Sequence, residues 1–138
     1  MSFNQNSLYL EDQILNWMKG TAFAAAPAGI WLGIMTAAPT ASNSGGVEAA
    51  YTGYARQQVT LGSLAGVTTL GSGDDATNSA VITFPTNNSG STVTIVSYAL
   101  FDAATAGNLL MLESTSPVAI PTGTALQFTA GSIQVNQI

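Results

Sequence analysis

The spacing of apolar residues changes once along the chain, near Gly20. Before Gly20, apolar residues recur at roughly helical spacing, with Glu11 and Asp12 in the early turns and Lys19 at the end, as the helix dipole favours. The apolar positions are Leu8, Leu10, Ile14, Leu15, Trp17 and Met18. Because Ser7 is a suitable N-cap, the pattern predicts one short helix in an N-terminal segment of residues 1–20. This helix is expected to pack on its own sheet or on a neighbouring subunit.

After Gly20 the chain consists of short apolar or alternating runs separated by turn residues. Residues 30–36 predict a buried strand, and residues 54–61 predict a strand with Tyr54 and Arg56 on one face. Further strands are expected at 80–85, 92–101, 109–113, 125–129 and 132–138, with a loop at 71–79 and a hairpin turn at 102–108. The fold prediction is mainly β. It is a single domain, residues 1–138, forming an antiparallel β-sandwich or barrel-like fold of about seven or eight strands with one short N-terminal helix.

Composition indicates that part of the surface is hidden in an assembly. Hydrophobic residues make up 46% of the chain and charged residues only 7%, whereas a soluble monomer normally covers itself with charged side chains. The net charge is −5 with two basic residues. Binding nucleic acid takes several Lys or Arg on one face, and an anionic membrane surface is disfavoured for the same reason. Neither is an expected partner.

One apolar run, residues 22–35, is the only candidate for a membrane or signal segment. It is too short to span a bilayer, is interrupted by Pro27 and Gly29, and lacks a preceding basic region. A buried strand is the preferred interpretation.

The residues available for chemistry are few. Histidine and cysteine are absent, which removes Ser-His, Cys-His and thiolate-metal arrangements. Glu11 and Asp12 diverge by about 100° on a helix and cannot share a substrate. Asp74 and Asp75 are candidate calcium ligands, but a solvated turn is preferred because Gly, Asp and Asn favour turns. The expectation is a protein that is not an enzyme and has no cofactor or metal.

Arg56 is one of only two basic residues and lies in a predicted strand. An isolated arginine there needs a nearby partner. The preferred hypothesis is an internal pin, in which the guanidinium stacks on Tyr54 or another ring and pairs with Glu48 or Asp102. The alternative is a contact across a subunit interface, where arginine and tyrosine are enriched.

Six segments, in order, resemble a family of small tailed-phage virion proteins. They are YLEDQILNWMKGTAF, IWLGIMTAAPT, GGVEAAYTGYARQQVT, ITFPT, YALFDAATAGNLL and PTGTALQFTAGSIQV. The resemblance spans nearly the whole chain, although Thr52 and Tyr98 depart from the usual family pattern. It implies a virion structural protein without catalytic or metal residues.

Members of this family are often described as tail fibre proteins. Because the chain has no repeat and no coiled-coil stalk, the resemblance is interpreted as a capsid decoration (cement) protein. Its expected partners are the major capsid protein of an HK97-type shell and its own copies in a homotrimer, and its expected location is the capsid surface of the virion. The alternative is a tail-associated, tail-fibre or receptor-binding protein in which Tyr51 and Tyr54 stack on sugar rings.

The candidate contacts with capsid or subunit lie in the parts of the chain that a sandwich core constrains least. These parts are the N-terminal segment through Trp17 and the loop at residues 39–51. The individual candidates are Leu8, Tyr9, Trp17 and Tyr51.

Overall fold

The computed structural model describes residues 1–62 and 74–137 and contains one helix and eleven strands in these ranges. The helix α1 spans Leu8–Met18. The strands are β1 Ser2–Phe3, β2 Gln5–Asn6, β3 Ile30–Ala37, β4 Val47–Glu48, β5 Gln57–Val59, β6 Asp74–Thr77, β7 Ile82–Thr83, β8 Val93–Phe101, β9 Leu109–Ile120, β10 Gln127–Phe128 and β11 Gln134–Gln137. The structure has more strands than the sequence predicted, and most of the additional strands are only two residues long.

The start of α1 is fixed by a predicted cap. Ser7 has an extended backbone, and its Oγ accepts a hydrogen bond of 3.2 Å from the backbone N–H of Leu10. The same hydroxyl donates to the carbonyl of Leu109 in β9. Ser7 therefore satisfies an otherwise unpaired N–H of the first helical turn and also ties the helix to the sheet. The predicted helix is confirmed.

The largest sheet is antiparallel and has the order β2-β9-β8-β3-β4, with β5 also paired to β3. Its centre is the pairing of β3 with β8, in which Gly33 lies opposite Ala99 and Ile34 opposite Tyr98. The β8–β9 hairpin continues the sheet, with Phe101 opposite Leu109. Residues 30–35 of the apolar run thus lie in a central strand, as predicted for residues 30–36, whereas residues 22–28 are exposed and form no strand.

Two smaller sheets, β1-β11-β6 and β10-β7, pack on one face of the large sheet. The main core lies between the large sheet and the two smaller sheets. It contains Phe3, Leu32, Ile34, Ala49, Tyr51, Val59, Ile82, Phe84, Ile95, Tyr98, Leu100, Met111, Ile120 and Ile133. A second cluster contains Met35, Ala99, Phe101, Leu109 and Leu112. The alternation of side chains along β3 and β8 sends neighbouring residues to opposite faces. The predicted mainly β, sandwich-like fold is confirmed, and the sheets are open.

Three details differ from the prediction. Asp74–Thr77 forms strand β6 rather than a loop, because it pairs with β11, where Asn136 lies opposite Asp75. Residues 71–73 of that predicted loop lie outside the described residues. Arg56 precedes strand β5 instead of lying within a strand. Strand β9 continues beyond the predicted residues 109–113 and includes residues 114–120, because β8 supplies a partner along most of its length. Strand pairing overrode local sequence preference in these places.

Within residues 1–62 and 74–137, no helix is long and apolar enough to cross a membrane. The same residues contain no group of three or more His, Cys, Asp or Glu side chains placed to hold a metal ion.

Candidate functional site

The guanidinium of Arg56 lies at the centre of a polar cluster. Its Nε donates to Oε1 of Glu48 at 2.9 Å and its Nη2 donates to Oε2 at 3.0 Å, so the ion pair is bidentate. Nη1 donates to the carbonyls of Ala103 at 2.9 Å and Ala106 at 2.7 Å. The Cζ atom lies 3.4 Å from the centroid of the Phe101 ring. Arg56 thereby joins a carboxylate, an aromatic ring and the β8–β9 loop.

The sheet brings these groups together around Gly33. Strand β4 pairs with one end of β3 and β5 with the other, so Glu48 and the residue before Gln57 flank the same stretch of β3. A Cβ atom on Gly33 would lie 3.1 Å from both Glu48 Oε1 and Phe101 Cε2. Glycine is therefore the residue that lets the carboxylate and the ring approach the backbone of β3.

Tyr54 closes the cluster from the side of the main core. Its hydroxyl donates to Oε1 of Glu48 at 2.6 Å and accepts from the backbone N–H of Ile34 at 3.2 Å. Burial raises the pKa of Tyr54, and the hydrogen bond to Glu48 raises it further. Tyr54 is therefore a neutral hydrogen-bond donor at physiological pH. Its ring lies parallel to Phe84 with the centroids 6.1 Å apart.

Asp102 was predicted as an alternative partner for Arg56, but the structure uses it elsewhere. Its Oδ1 accepts from the backbone N–H of Asn108 and its Oδ2 from the side-chain amide of Asn108, both at 2.7 Å. Asp102 thus closes the β8–β9 hairpin, and Glu48 is the counter-charge of Arg56. The ring against Arg56 is Phe101 rather than Tyr54. Sequence reasoning missed Phe101 because its contact depends on the pairing of β3 with β8.

An open groove of about 480 Å³ lies beside the cluster, bounded by Tyr54, Arg56, and residues 48–51 and 104–106. Arg56 uses four of its five N–H donors within the protein. The charges of Arg56 and Glu48 offset each other, and Tyr54 keeps its proton. The groove therefore lacks a free cation, and the described residues around it place no base next to a nucleophile.

Tyr51, predicted as a contact residue, lies in the core instead. Only 5% of it is exposed, and its hydroxyl donates to the carbonyl of Pro85 at 3.0 Å. Its ring meets Tyr54 edge-on at 5.4 Å between centroids. The prediction of Tyr51 as a surface contact is therefore wrong. The aromatic packing around both tyrosines also leaves their rings poorly placed to stack on sugar rings.

The other predicted contacts lie on or near a large exposed apolar surface. No residue of α1 is fully buried, and Leu8 and Trp17 are exposed while Tyr9 is half-buried. Seven large hydrophobic side chains are exposed in the described part of the chain, and five of them lie between residues 8 and 23. These five are Leu8, Leu15, Trp17, Met18 and Phe23, and we call them the N-terminal apolar surface. Exposed large apolar side chains are therefore concentrated in one short part of the described chain.

The segment after α1 lies along the helix. The backbone N–H of Ala24 donates to Oε1 of Gln13 at 3.0 Å, and the rings of Trp17 and Phe23 lie 6.1 Å apart. A cavity of about 280 Å³ lies between α1, residues 23–27 and Leu110 of β9. In the predicted contact loop, residues 42–47 are exposed, whereas Pro39 and Ala49 are buried.

These features define a class of protein. It is a small β-rich structural domain whose polar cluster is satisfied internally and whose exposed apolar residues are concentrated at the N-terminal helix. In comparisons with known proteins, residues 5–136 match the family described as Podophage GP4 fiber I protein gp80. The chain belongs to this family and is a phage virion structural protein. The family description names a fibre rather than a capsid decoration protein. No curated protein matched the chain.

Proposed function

We propose that this protein is a non-catalytic structural subunit of the phage tail, a component of a fibre or of its attachment. The observation that carries the proposal is the family match, which covers residues 5–136 and so includes α1, strands β2 to β10 and most of β11. A match of this extent relates nearly all of the described fold, rather than one motif, to a fibre protein.

The N-terminal apolar surface supplies the means of assembly. Leu15, Trp17 and Met18 are 56%, 59% and 71% exposed, and large apolar side chains so concentrated in one exposed segment favour contacts with other proteins. Burying such surface contributes roughly 25 cal/mol per Å² before the costs of association. We assign this surface to contacts with other virion subunits.

The Arg56 cluster serves the domain itself. Arg56 links Glu48 of β4, Phe101 of β8 and the carbonyls of Ala103 and Ala106 in the β8–β9 loop. In this proposal the cluster is an internal pin that fixes the β8–β9 loop on the sheet. It performs no chemistry on a substrate.

A capsid decoration protein is the second candidate. It is favoured by the described residues, which form compact sheets and no helix longer than the 11 residues of α1, so they offer no coiled-coil stalk of the kind long fibres use. In this case the partner is the major capsid protein of an HK97-type shell, the location is the capsid surface, and the oligomer is a homotrimer at its three-fold positions.

Images of intact particles distinguish the two candidates. We expect electron cryomicroscopy of phage carrying an affinity-tagged copy, labelled with gold, to show label at the tail only. Quantitative mass spectrometry of the same particles should give few copies relative to the major capsid protein. Label spread evenly over the head, with a copy number comparable to the number of capsomers, would contradict the fibre proposal and support decoration.

A further inference from the structure

One side of α1 carries a regular stripe of exposed residues. Successive residues of a helix turn by about 100°, so positions separated by three, four, seven, ten and eleven residues share one side. The stripe consists of Leu8, Glu11, Asp12, Leu15, Met18 and Lys19, all of which are exposed. It combines an apolar line with acidic residues near the start of the helix and a basic residue at its end. We call it the α1 stripe.

Among the residues that the structure describes, the charged side chains of the α1 stripe form no ion pair. Lys19 has no carboxylate within ion-pairing distance among the residues that the structure describes, where the one ion pair is Arg56–Glu48. The acids of the stripe precede Lys19 by seven and eight residues, about two helical turns or roughly 10 Å along the axis. Glu11 and Asp12 therefore cannot pair with Lys19 of their own helix.

We propose that the α1 stripe binds the α1 stripe of a second copy of this chain, in an antiparallel pair with Leu15 at the two-fold axis. Lys19 follows Leu15 by four residues and Glu11 precedes it by four. An antiparallel arrangement therefore sets Lys19 of each copy against Glu11 of the other, and a two-fold interface repeats this contact. The proposal rests on the assignment of the N-terminal apolar surface to assembly and names the partner.

The charges also select the direction of pairing. In a parallel pair or a parallel trimer, Glu11 and Asp12 of each copy would lie beside the same acids of its neighbours, and Lys19 would lie beside Lys19. Like charges in contact are destabilising. The antiparallel pair removes both repulsions and keeps Leu15 and Met18 in the interface. Since each chain carries a net charge of −5, long-range repulsion opposes association, and the dimer is expected to form in a concentration-dependent manner.

Charge reversal tests the proposal on the full chain. We expect sedimentation equilibrium to show a monomer–dimer equilibrium for the wild-type protein. Lys19→Glu should raise the dimer dissociation constant about tenfold or more, because two attractive contacts become repulsive. Glu11→Lys should have a similar effect. The double variant Lys19→Glu with Glu11→Lys restores the opposite charges and should recover dimerisation.

Glu113→Lys, on β9, is the matched control for Glu11→Lys because it changes the net charge equally away from the α1 stripe. Any effect of net charge on the dissociation constant is the same for Glu113→Lys and Glu11→Lys. Beyond that shared effect, Glu113→Lys should leave the dissociation constant unchanged. Circular dichroism checks that every variant is folded. A wild-type monomer at all concentrations, a trimer, or a double variant that stays monomeric would overturn the proposal.

The same variants separate this inference from the proposed function. If tagged Lys19→Glu protein still labels the tail while the wild-type protein is monomeric, the fibre assignment stands and the self-pairing is wrong. If the wild-type protein dimerises through α1 but labels the head, the self-pairing stands and the fibre assignment is wrong.

Discussion

The Cζ atom of Arg56 lies 3.4 Å from the centroid of the Phe101 ring. Phe101 belongs to the second apolar cluster, on the face of the large sheet away from the main core. Arg56 therefore covers an aromatic side chain that would otherwise face solvent, while its N–H groups hold Glu48 and the β8–β9 loop. A cationic group over a ring is favourable in this geometry.

Replacing Arg56 with methionine should destabilise the domain. The variant leaves the Glu48 carboxylate without its cation and two loop carbonyls without donors, while it retains much of the packing on Phe101. Removal of one partner from a largely buried ion pair costs several kcal/mol, and partial exposure of Glu48 reduces this, so we expect a loss of about 2–3 kcal/mol. Chemical denaturation at low protein concentration measures it.

Lys19→Met is the matched control, since it removes the other basic residue of the chain from an exposed position. Its effect should stay within about 0.5 kcal/mol, as for most surface substitutions. Equal losses in the two variants would show that net charge, rather than the pin, determines the stability.

Gly107→Ala should disrupt the hairpin that Arg56 holds. Gly107 has φ +75°, and an added Cβ would overlap Oδ1 of Asp102 and lie 2.7 Å from Cβ of Ala103. Gly123 has a similar φ of +83° but open space around it. We expect Gly123→Ala to cost about 1 kcal/mol for the left-handed backbone alone, and Gly107→Ala about 1–3 kcal/mol more. Thermal unfolding of both variants compares them, and equal costs would count against the close approach.

Asn78→Ala should be among the most damaging polar substitutions. Asn78 is buried, and its side-chain amide donates to the carbonyls of Ala80 at 2.8 Å and Thr129 at 2.9 Å, while its Oδ1 accepts from the N–H of Ile133 at 2.8 Å. The variant leaves the buried N–H of Ile133 and two partly buried carbonyls without these partners, at a cost of about 3 kcal/mol. Denaturant unfolding tests this against the exposed Asn88→Ala, and similar stabilities would refute the assignment.

Alkaline pH should weaken the fold through Tyr54. Burial and the hydrogen bond to Glu48 raise its pKa in the folded state, whereas the unfolded value is about 10. The folded protein therefore holds this proton more tightly, so the contribution to stability is complete below pH about 10 and is lost as the pH rises further. Burial acts in the same direction on the pKa of Tyr51 and Tyr98.

The measurement is the free energy of unfolding as a function of pH. For wild type we expect it to fall above pH about 10, and Tyr54→Phe should reduce the slope by up to about 1.4 kcal/mol per pH unit, the value for one proton. Tyrosinate absorbance during unfolding reports the ionisation directly. An identical slope in both proteins would show that Tyr54 does not hold its proton.

The local signals of the sequence were sufficient for the helix and for strands β3 and β8. Ser7 and the helical spacing that follows it predicted α1, because a capped helix depends on contacts between near neighbours in the chain. The apolar residues of β3 and β8 predicted buried strands in the same way. The expected number of strands was too low because two-residue strands such as β1 and β4 carry no periodic signal of their own.

The candidate site was only partly accessible to sequence reasoning. Arg56 stood out as nearly the sole basic residue, and Glu48 was one of two candidate counter-charges. Choosing between Glu48 and Asp102 required the register of β4 and β5 on β3 and the hydrogen bonds of Asp102 to Asn108. Tyr51 was misplaced because a tyrosine next to turn residues has the same local pattern whether it is buried or exposed.

The sequence by itself determined the mainly β class, the N-terminal helix, the scarcity of catalytic groups and the resemblance to phage virion proteins. These depend on composition and on residues close together in the chain. Only the tertiary structure decided that Arg56 pairs with Glu48 over Phe101, that Asp74–Thr77 is a strand, and that α1 presents Leu15 and Met18 to solvent. The physical reason is that strand pairing joins residues far apart in the chain, and their partners override local preference.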